Sequence, residues 1–268
     1  MFWFCPKCKL ALDNFKCKKC GFEATIQKNI FDFTFDLTEQ ELAEEAYRKK
    51  ENLTIERILT KKKSAVRYYL VNIKKHVRLK GKILDLGAGY CWLGGLISQN
   101  PNVSEVWCAD VSKKALEIGY RIAAMKKYRI AGFVRTSALN LPFPDNYFDY
   151  VISSAFLHHL VNLHSVLEEI RRVVKPQGIY YAFLEPASSF LAMPCSRSKI
   201  KKAHRDHPGV LENVYTFRQW KRFFQKYKTS FTLTPPMRIK WYGLWRLFKN
   251  LGLIQYLFFS NILIKAKF

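Results

Sequence analysis

Acidic residues and long apolar runs are both scarce in this chain of 268 residues. Only 21 Asp and Glu stand against 45 Lys and Arg, so the formal net charge is +24. No apolar run reaches the roughly 18 residues that a membrane-spanning helix needs. The longest candidate, Leu251 to Ile264, is shorter and contains polar residues. The first residues also lack the charged and apolar segments of an export signal. We therefore expect a cytoplasmic protein that is soluble or peripherally attached to a membrane.

The positive charge is concentrated in two segments. Hydrophobic residues make up 49% of the chain, which excludes a disordered polyelectrolyte. Residues 61–80 contain eight basic residues and no acid, and residues 187–268 contain 16 basic and 2 acidic residues, whereas residues 81–186 sum to only +2. Strongly basic surfaces bind anionic partners. We expect that partner to be either a membrane surface or RNA, and the charge alone leaves the choice open.

Four of the seven cysteines form two C-x-x-C pairs, Cys5 with Cys8 and Cys17 with Cys20. Two such pairs on short turns can bring four thiolates around one Zn²⁺ in the tetrahedral geometry that this ion prefers. Gly21 follows the second pair and permits the positive φ that such turns commonly need. Redox-active C-x-x-C motifs are the alternative, but no βαβ pattern surrounds these pairs. The spacing therefore predicts a structural zinc ribbon without an open catalytic position.

A short apolar strand and a glycine turn begin the middle part of the chain. The strand is predicted over residues 82–86, and Gly87 and Gly89 then allow a tight turn in which a ligand approaches the backbone. A second predicted strand, over residues 106–110, ends in Asp110, 21 residues after Gly89. That spacing suits a carboxylate that accepts both ribose hydroxyls of an adenosine cofactor. Asp110 could instead cap the helix that follows it.

Further patterns follow in a fixed order. They are a proline-containing turn and strand from Leu139 to Ile152, the pair His158-His159, a helix from Leu163 to Val174, and a strand from Ile179 to Leu184 that ends beside Glu185. With these motifs, residues 80–186 resemble the class I S-adenosylmethionine-dependent methyltransferases, in particular the quinone-biosynthesis methyltransferases. With the four cysteines in front, the chain is also similar to zinc-ribbon-bearing methyltransferases, including some that modify ribosomal RNA guanines.

The resemblance implies S-adenosylmethionine as the cofactor and a set of residues that contact it. Asp85, Gly87 and Gly89 would hold the methionine end, although Asp85 could be only a cap at the end of a strand. Asp110 would bind the ribose. The other implied contacts are Val111, Ser137, Ala138 and Ser153. The chain departs from the family at Ser137, where Asp is frequent, and at Cys91, which replaces the third glycine.

Three histidines are candidates for a catalytic base. A base assists methyl transfer to a hydroxyl, and His158, His159 and His207 could take the proton. His158 and His159 could equally be a structural pair at the start of a helix. Residues 153–156 follow the predicted strand that ends at Ile152. They lack the Asn/Asp-Pro-Pro-Tyr/Phe motif of enzymes that methylate exocyclic base amines, which argues against that subfamily.

The predicted fold is α/β: a Rossmann-like, seven-stranded, mostly parallel methyltransferase sheet with helices on both faces and a small N-terminal zinc ribbon. We assign residues 1–33 to the ribbon, 34–80 to a connecting helical region with a capping box at Thr38, and 81–268 to the methyltransferase domain. An insertion over residues 187–260 would form the acceptor site. Within it, residues 241–259 are predicted to be a helix that covers the sheet or an aromatic segment in a membrane interface. The last strand is predicted over residues 261–267.

Three functions remain compatible with these observations. The first is an S-adenosylmethionine-dependent methyltransferase that acts on a small or lipid-linked acceptor at a membrane surface. The second is an RNA methyltransferase, suggested by the charge and the four cysteines. The third is a non-catalytic, zinc-dependent interaction module, suggested by the departures at Cys91 and Ser137. The sequence favours an enzyme over a module and does not identify the methyl acceptor.

Overall fold

The computed structural model describes residues 3–51, 53–188, 210–234 and 260–268. In these residues one mixed sheet has the strand order β1-β2-β5-β4-β3-β6-β7-β10-β9, with β8 beside β7. The strands are β1 (Thr25–Gln27), β2 (Ile30–Asp32), β3 (Gly81–Leu86), β4 (Val103–Asp110), β5 (Gly132–Arg135), β6 (Phe148–Ser154), β7 (Val174–Ser188), β8 (Tyr215–Thr216), β9 (Lys228–Thr234) and β10 (Ser260–Lys267). The predicted base His207 and the predicted segment 241–259 lie outside the described residues.

The central strands are parallel, as predicted. Strand β3 pairs in parallel with β4 and β6, and β6 pairs in parallel with β7. The last strand, β10, is antiparallel to both β7 and β9, which confirms the predicted strand over residues 261–267. The seven strands β5-β4-β3-β6-β7-β10-β9 match the predicted number of strands, but β9 lies within residues 187–260, which were assigned to the acceptor-site insertion. Strands β1 and β2 come from the segment assigned to the ribbon. They extend the sheet, because β2 pairs in parallel with β5.

Six α-helices accompany the described strands. They are α1 (Glu39–Lys50), α2 (Ile55–Tyr68), α3 (Trp92–Ile97), α4 (Lys113–Lys126), α5 (Leu163–Val173) and α6 (Phe217–Phe223). Helix α1 begins with the predicted capping box, in which the Thr38 hydroxyl accepts from the amide of Glu41 and the Glu41 carboxylate accepts from the amide of Thr38. Helix α2 continues into a π-helical turn over Tyr69–Ile73. None of the described helices combines the length and apolar character that crossing a bilayer requires.

The N-terminal segment shares a hydrophobic core with the sheet. Trp3 is buried, and its ring lies 4.8 Å from that of Phe33 and 5.2 Å from that of Trp107, centroid to centroid. Phe143 packs against the same ring at 5.6 Å. Burying an aromatic side chain of this size is one of the larger stabilising contributions a single residue makes. The four-cysteine segment is therefore anchored to the sheet through Trp3.

Candidate active site

A cavity of about 810 Å³ lies at the carboxyl ends of strands β3, β4 and β6. Open α/β sheets bind ligands at this edge, where the strand order reverses. Its floor is formed by the glycine turn after β3 and the end of β4, and helix α1 covers it. The lining includes Glu39, Glu41, Glu44, Arg48, Asp85, Gly87, Gly89, Trp92, Asp110, Val111, Ala138, Leu139, Ser154, Ala155, Phe156, His159, Leu160, Val161 and Leu211.

The two predicted glycines serve different purposes in the turn. Both have positive φ, +66° at Gly87 and +52° at Gly89. A Cβ at Gly87 would lie 2.2 Å from the ring of Phe156, so this glycine makes room for a side chain. A Cβ at Gly89 would meet no atom within 4 Å, so the backbone at this position is open. The turn thus leaves a bare stretch of backbone on the cavity wall for a ligand to approach.

Asp110 lies on the cavity wall, where two backbone amides orient its carboxylate. Oδ2 accepts from the amide of Gly89 at 2.7 Å, and Oδ1 accepts from the amide of Ser112 at 2.9 Å. Burial raises the pKa of Asp110, while these amides and the Arg48 guanidinium oppose that shift. The cap of α4 is Ser112 rather than Asp110, since the Ser112 hydroxyl accepts from the amide of Ala115. Asp110 is therefore available to a ligand at the cavity wall.

Asp85 supports the turn from behind. Its side chain is buried, and Oδ2 accepts from the amide of Gly94 in helix α3 at 2.8 Å. Burial raises the pKa of Asp85 to about 7, and the nearby Asp110 carboxylate adds to the effect. A Cβ at Gly94 would stand 2.9 Å from the same oxygen, so the close approach requires glycine. Gly94 is a supporting residue that the sequence interpretation missed. Asp85 thus combines a capping contact with a position at the cavity edge.

Cys91 fills the place of the missing third glycine without closing the cavity. It precedes α3 in the left-handed conformation at φ +56°, where a non-glycine residue is strained. Gly119 of α4 provides the necessary space, because a Cβ there would lie 2.7 Å from the Cys91 sulfur. The departure from the family pattern at Cys91 is accommodated by a glycine 28 positions later in the chain.

The remaining predicted cofactor contacts divide into two pairs. Val111 and Ala138 line the cavity. Ser137 and Ser153 are not part of its lining: the Ser137 hydroxyl accepts from the amide of Leu139, and the buried Ser153 hydroxyl shares a 2.7 Å hydrogen bond with the hydroxyl of Tyr180. Because side chains alternate along a strand, the cavity at the end of β6 is lined by the next residue, Ser154, instead.

The two predicted histidines lie together on a short turn held by Glu185, and of the two His159 lines the cavity whereas His158 is buried behind it. This fully buried carboxylate accepts from the amides of residues 156–158 and lies 2.8 Å from Nδ1 of His158. Burial lowers the pKa of His158, but the Glu185 carboxylate outweighs it and holds the pKa above its ordinary value. In Glu185, burial raises the pKa and the contacts with His158 and the amides bring it below its usual value. Glu185 and His158 therefore hold the turn in position.

His159 has a different environment from its neighbour. Its Nδ1 lies 2.7 Å from the carbonyl oxygen of Leu211, so this nitrogen donates and Nε2 carries the lone pair. Burial lowers the pKa of His159, and the neighbouring His158 lowers it further. The carboxylate of Glu212 stands 3.8 Å from its Nδ1. A neutral imidazole on the cavity wall is suited to accept a proton.

Helix α1 supplies the residues that sequence reasoning missed. Arg48 lines the cavity and pairs with Glu44 at 2.9 Å and Glu51 at 3.0 Å. Glu51 also accepts from the hydroxyl of Tyr90 at 2.7 Å, which ties the end of α1 to the glycine turn. Burial lowers the pKa of Arg48, but Glu44 and Asp110 hold it above its usual value. The capping box at Thr38 predicted a helix here, but no local signal indicated that it covers the cavity.

The four cysteines of the two C-x-x-C pairs converge on one point. Their sulfur atoms all lie within 4.8 Å of one another, and those of Cys5 and Cys20 are 3.6 Å apart. Gly21 has the predicted positive φ, +74°. A tetrahedral zinc ion with bonds of about 2.3 Å needs sulfur atoms about 3.8 Å apart, so the donor set fits this metal.

Comparisons with known proteins agree with this arrangement. Residues 84–182 match the family described as methyltransferase domain. The ubiquinone/menaquinone biosynthesis C-methyltransferase UbiE of Burkholderia mallei is 36% identical over 104 residues, which make up 38% of this chain and 42% of that relative. The chain therefore matches about two fifths of the relative's length.

Solved structures share the fold at low identity. Phosphoethanolamine N-methyltransferase 2 of Haemonchus contortus, solved with S-adenosyl-L-methionine, has a TM-score of 0.61 at 16% identity and covers 87% of this chain and 60% of its own. The YcgJ protein of Bacillus subtilis has a TM-score of 0.53 at 18% identity, and the match covers 76% of this chain and 97% of the YcgJ chain. These findings support a class I S-adenosylmethionine-dependent methyltransferase domain over residues 84–182.

Proposed function

We propose that the chain transfers a methyl group from S-adenosylmethionine to a small or lipid-linked acceptor held under helix α1. The observation that carries this proposal is the cavity wall on which the bare Gly89 backbone and the Asp110 carboxylate lie side by side. Asp110 would hold the ribose, the turn at Gly87 and Gly89 the methionine end, and Val111 and Ala138 the adenine. When bound, S-adenosylmethionine supplies an electrophilic methyl group on a sulfonium.

The protein's contribution to the reaction is alignment, exclusion of water and removal of a proton. Helix α1 closes the cavity from above, and Val161 is tied to it because its amide donates to Gln40 at 3.2 Å. His159 would take the acceptor's proton on Nε2, since its Nδ1 is engaged by Leu211. Glu185 and His158 would keep the turn in place. His207 stays a candidate from the sequence alone.

The charges around the cavity support a small or lipid-linked acceptor rather than RNA. Glu39, Glu41 and Glu44 all line it, and Arg48, the cation on the described lining, is paired with acids. A phosphate backbone at this opening would meet repulsion from several carboxylates. Exposed Val161 and the apolar Leu160 also line the cavity. The relatives named for ubiquinone and menaquinone biosynthesis support a quinone-related acceptor.

A binding and transfer experiment tests this function. S-adenosylmethionine carrying a labelled methyl group is titrated into the purified chain and then incubated with total lipid or total RNA. We expect binding that Asp110→Asn weakens at least tenfold, with Glu56→Gln on the exposed start of α2 as the matched control. Label in the lipid or small-molecule fraction supports the proposed acceptor class, and label in RNA overturns it. Absence of cofactor binding overturns the function itself and favours the interaction module.

The catalytic assignment has its own test. His159→Gln should reduce turnover by about 100-fold or more, because a positioned base typically contributes that much, while cofactor affinity is retained. His164→Gln on the exposed side of α5 is the matched control. Equal turnover in the two variants would contradict a proton-accepting role for His159.

The four converging cysteines would hold one structural zinc ion, consistent with the spacing of their sulfur atoms. A donor set of four thiolates leaves no open position for catalysis. Metal analysis of the purified chain should give one zinc per chain, and Cys17→Ser should abolish it. A chain that contains no metal and keeps its fold would contradict this assignment.

A further inference from the structure

We propose that the exposed side of residues 63–80 docks the protein onto an anionic membrane surface. We call this surface the basic face; it comprises Lys63, Arg67, Leu70, Val71, Lys74, Lys75, Arg78 and Lys80, all exposed. The inference rests on the proposed function, because a lipid-linked acceptor has to be reached at a membrane, and it specifies where the protein meets that membrane.

The basic face carries six cations. Within residues 3–51, 53–188, 210–234 and 260–268, no acidic side chain forms an ion pair with any of them. The segment itself contains no Asp or Glu between positions 61 and 80. Elsewhere the chain does pair its charges, as Lys175 does with Asp149 at 2.7 Å. Uncompensated charge of one sign on an ordered surface indicates a partner of the opposite sign.

Two exposed aliphatic side chains lie between these cations in the sequence, after Arg67 and before Lys74. Leu70 is 48% exposed and Val71 is 60% exposed, and both belong to the π-helical turn. Their neighbours Tyr69 and Ile73 are buried against the sheet, so the turn is anchored and the exposure is imposed by the fold. π-Helical turns inside helices frequently mark functional sites. Apolar side chains surrounded by Lys and Arg are the pattern of a segment that lies in a membrane interface.

The aliphatic character of this centre favours a membrane over RNA. Surfaces that bind single-stranded RNA commonly offer aromatic rings on which bases stack. The exposed apolar residues here are Leu70 and Val71, whereas the aromatic side chains Tyr68 and Tyr69 are turned into the core. Aliphatic groups gain free energy from entering the acyl region and gain little from an unstacked base. The cations do not distinguish the two partners, because phosphate charges of lipid headgroups can pair with them as well as those of RNA can.

The basic face is close to the proposed active site. Tyr69, on its inner side, packs edge to face against Trp92 at 6.5 Å and against Phe183 at 5.9 Å, centroid to centroid. Trp92 in turn lines the cavity. One layer of aromatic side chains thus separates the docking surface from the cavity wall. A headgroup held at the basic face would bring its neighbours in the bilayer to the vicinity of the cavity.

Co-sedimentation with vesicles tests the inference on the full chain. Vesicles of phosphatidylcholine mixed with phosphatidylglycerol are compared with vesicles of phosphatidylcholine alone. The test variant combines Lys74→Gln, Lys75→Gln and Arg78→Gln. The matched control combines Lys114→Gln, Arg121→Gln and Lys126→Gln on the exposed side of α4, so both lose the same charge. Each cation near an anionic surface contributes about fivefold to partitioning, so we expect the test variant to bind ~100-fold less and the control to change little.

A second variant separates the contribution of the apolar side chains to vesicle binding from that of the cations. Leu70→Ser combined with Val71→Ser should weaken binding to the anionic vesicles several-fold and leave its salt dependence unchanged. Equal losses in the test and control variants, or no preference for anionic vesicles, would overturn the docking surface. Tighter retention on RNA than on the vesicles at equal salt would also overturn it. Cofactor titration of every variant keeps the two proposals apart, because failed docking with intact S-adenosylmethionine binding refutes only the surface.

Discussion

Replacing Arg135 with Met would test whether one side chain holds together the N-terminal strands, helix α1 and the cavity wall. Nη1 of Arg135 pairs with Asp32 of β2 at 2.9 Å, and Nη2 lies 3.7 Å from Glu45 of α1. Nε donates to the carbonyl oxygen of Val111 at 3.1 Å, directly beside Asp110. Met retains the aliphatic stem, so the substitution removes the charge and the three contacts while disturbing packing little.

The size of the effect follows from the burial of the partners. Removing one member of a buried ion pair costs about 3 to 5 kcal/mol, because the partner's charge is left without compensation. The side chains here are 17% exposed in Arg135, 20% in Asp32 and 6% in Glu45. Partial exposure allows water to solvate Asp32, so we expect the lower end, about 3 kcal/mol. Burial raises the pKa of Asp32, but Thr34 and Arg135 outweigh it and bring the pKa below its usual value.

That shift also sets the sign of the pH dependence. A carboxyl with a folded-state pKa below its unfolded value contributes stability at neutral pH, and the contribution is lost as the pH falls through the folded-state pKa. Urea unfolding should therefore show a gap between wild type and Arg135→Met at neutral pH that narrows in acid. S-adenosylmethionine binding should weaken in parallel. Arg171→Met, on an exposed side chain of α5, is the control and should change stability by less than about 0.5 kcal/mol. A similarly small effect of Arg135→Met would refute the reasoning.

Three further outcomes are expected. Chelation of the proposed zinc ion should lower the melting temperature of the whole chain in one transition, because Trp3 anchors the cysteine segment to the core. A melting temperature that the chelator leaves unchanged would contradict this. Gly119→Ala should lower the free energy of unfolding by about 1 to 3 kcal/mol, because the added Cβ would meet the Cys91 sulfur. In a double-mutant cycle, Cys91→Gly should recover part of that free energy. Additive effects of the two substitutions would show that the side chains do not touch. The pKa of His158 is raised, so its pair with Glu185 stabilises fully below the unfolded-state pKa and the contribution is lost as the pH rises through the folded-state value. Glu185→Gln should remove that alkaline loss from the unfolding profile.

The sequence predicted the middle of the fold well because its signals are local. The glycine turn and the acid at the end of β4 are set by neighbouring residues, and the structure confirms both. Helix α5 ends at Val173, one residue from its predicted boundary. Strand β7 extends beyond its predicted bounds at both ends. Such boundaries depend on packing that a sequence pattern does not record.

The relations between distant segments could not be predicted. Strand β2 pairs with β5 across about a hundred residues, and nothing in the three residues of β2 specifies that partner. The same holds for α1, whose capping box fixes where the helix begins but not what it covers. In β6 both faces are buried, so no polar alternation indicates which serine reaches the cavity. The cofactor role assigned to Ser153 stays a prediction without support from its position, whereas Ser154 occupies the wall.

The net charge of +24 coexists with several acidic side chains on the cavity lining, and this contrast constrains the proposed acceptor. Acids are concentrated in α1, where Glu39, Glu41 and Glu44 face the cavity, while residues 61–80 carry cations alone. A polyanion attracted to the basic face would be repelled at the opening. The proposed anionic partner and the proposed methyl acceptor should therefore be chemically distinct. An uncharged or cationic acceptor in an anionic membrane surface would fit both proposals, because the headgroups would contact the cations and the reacting group would enter the cavity.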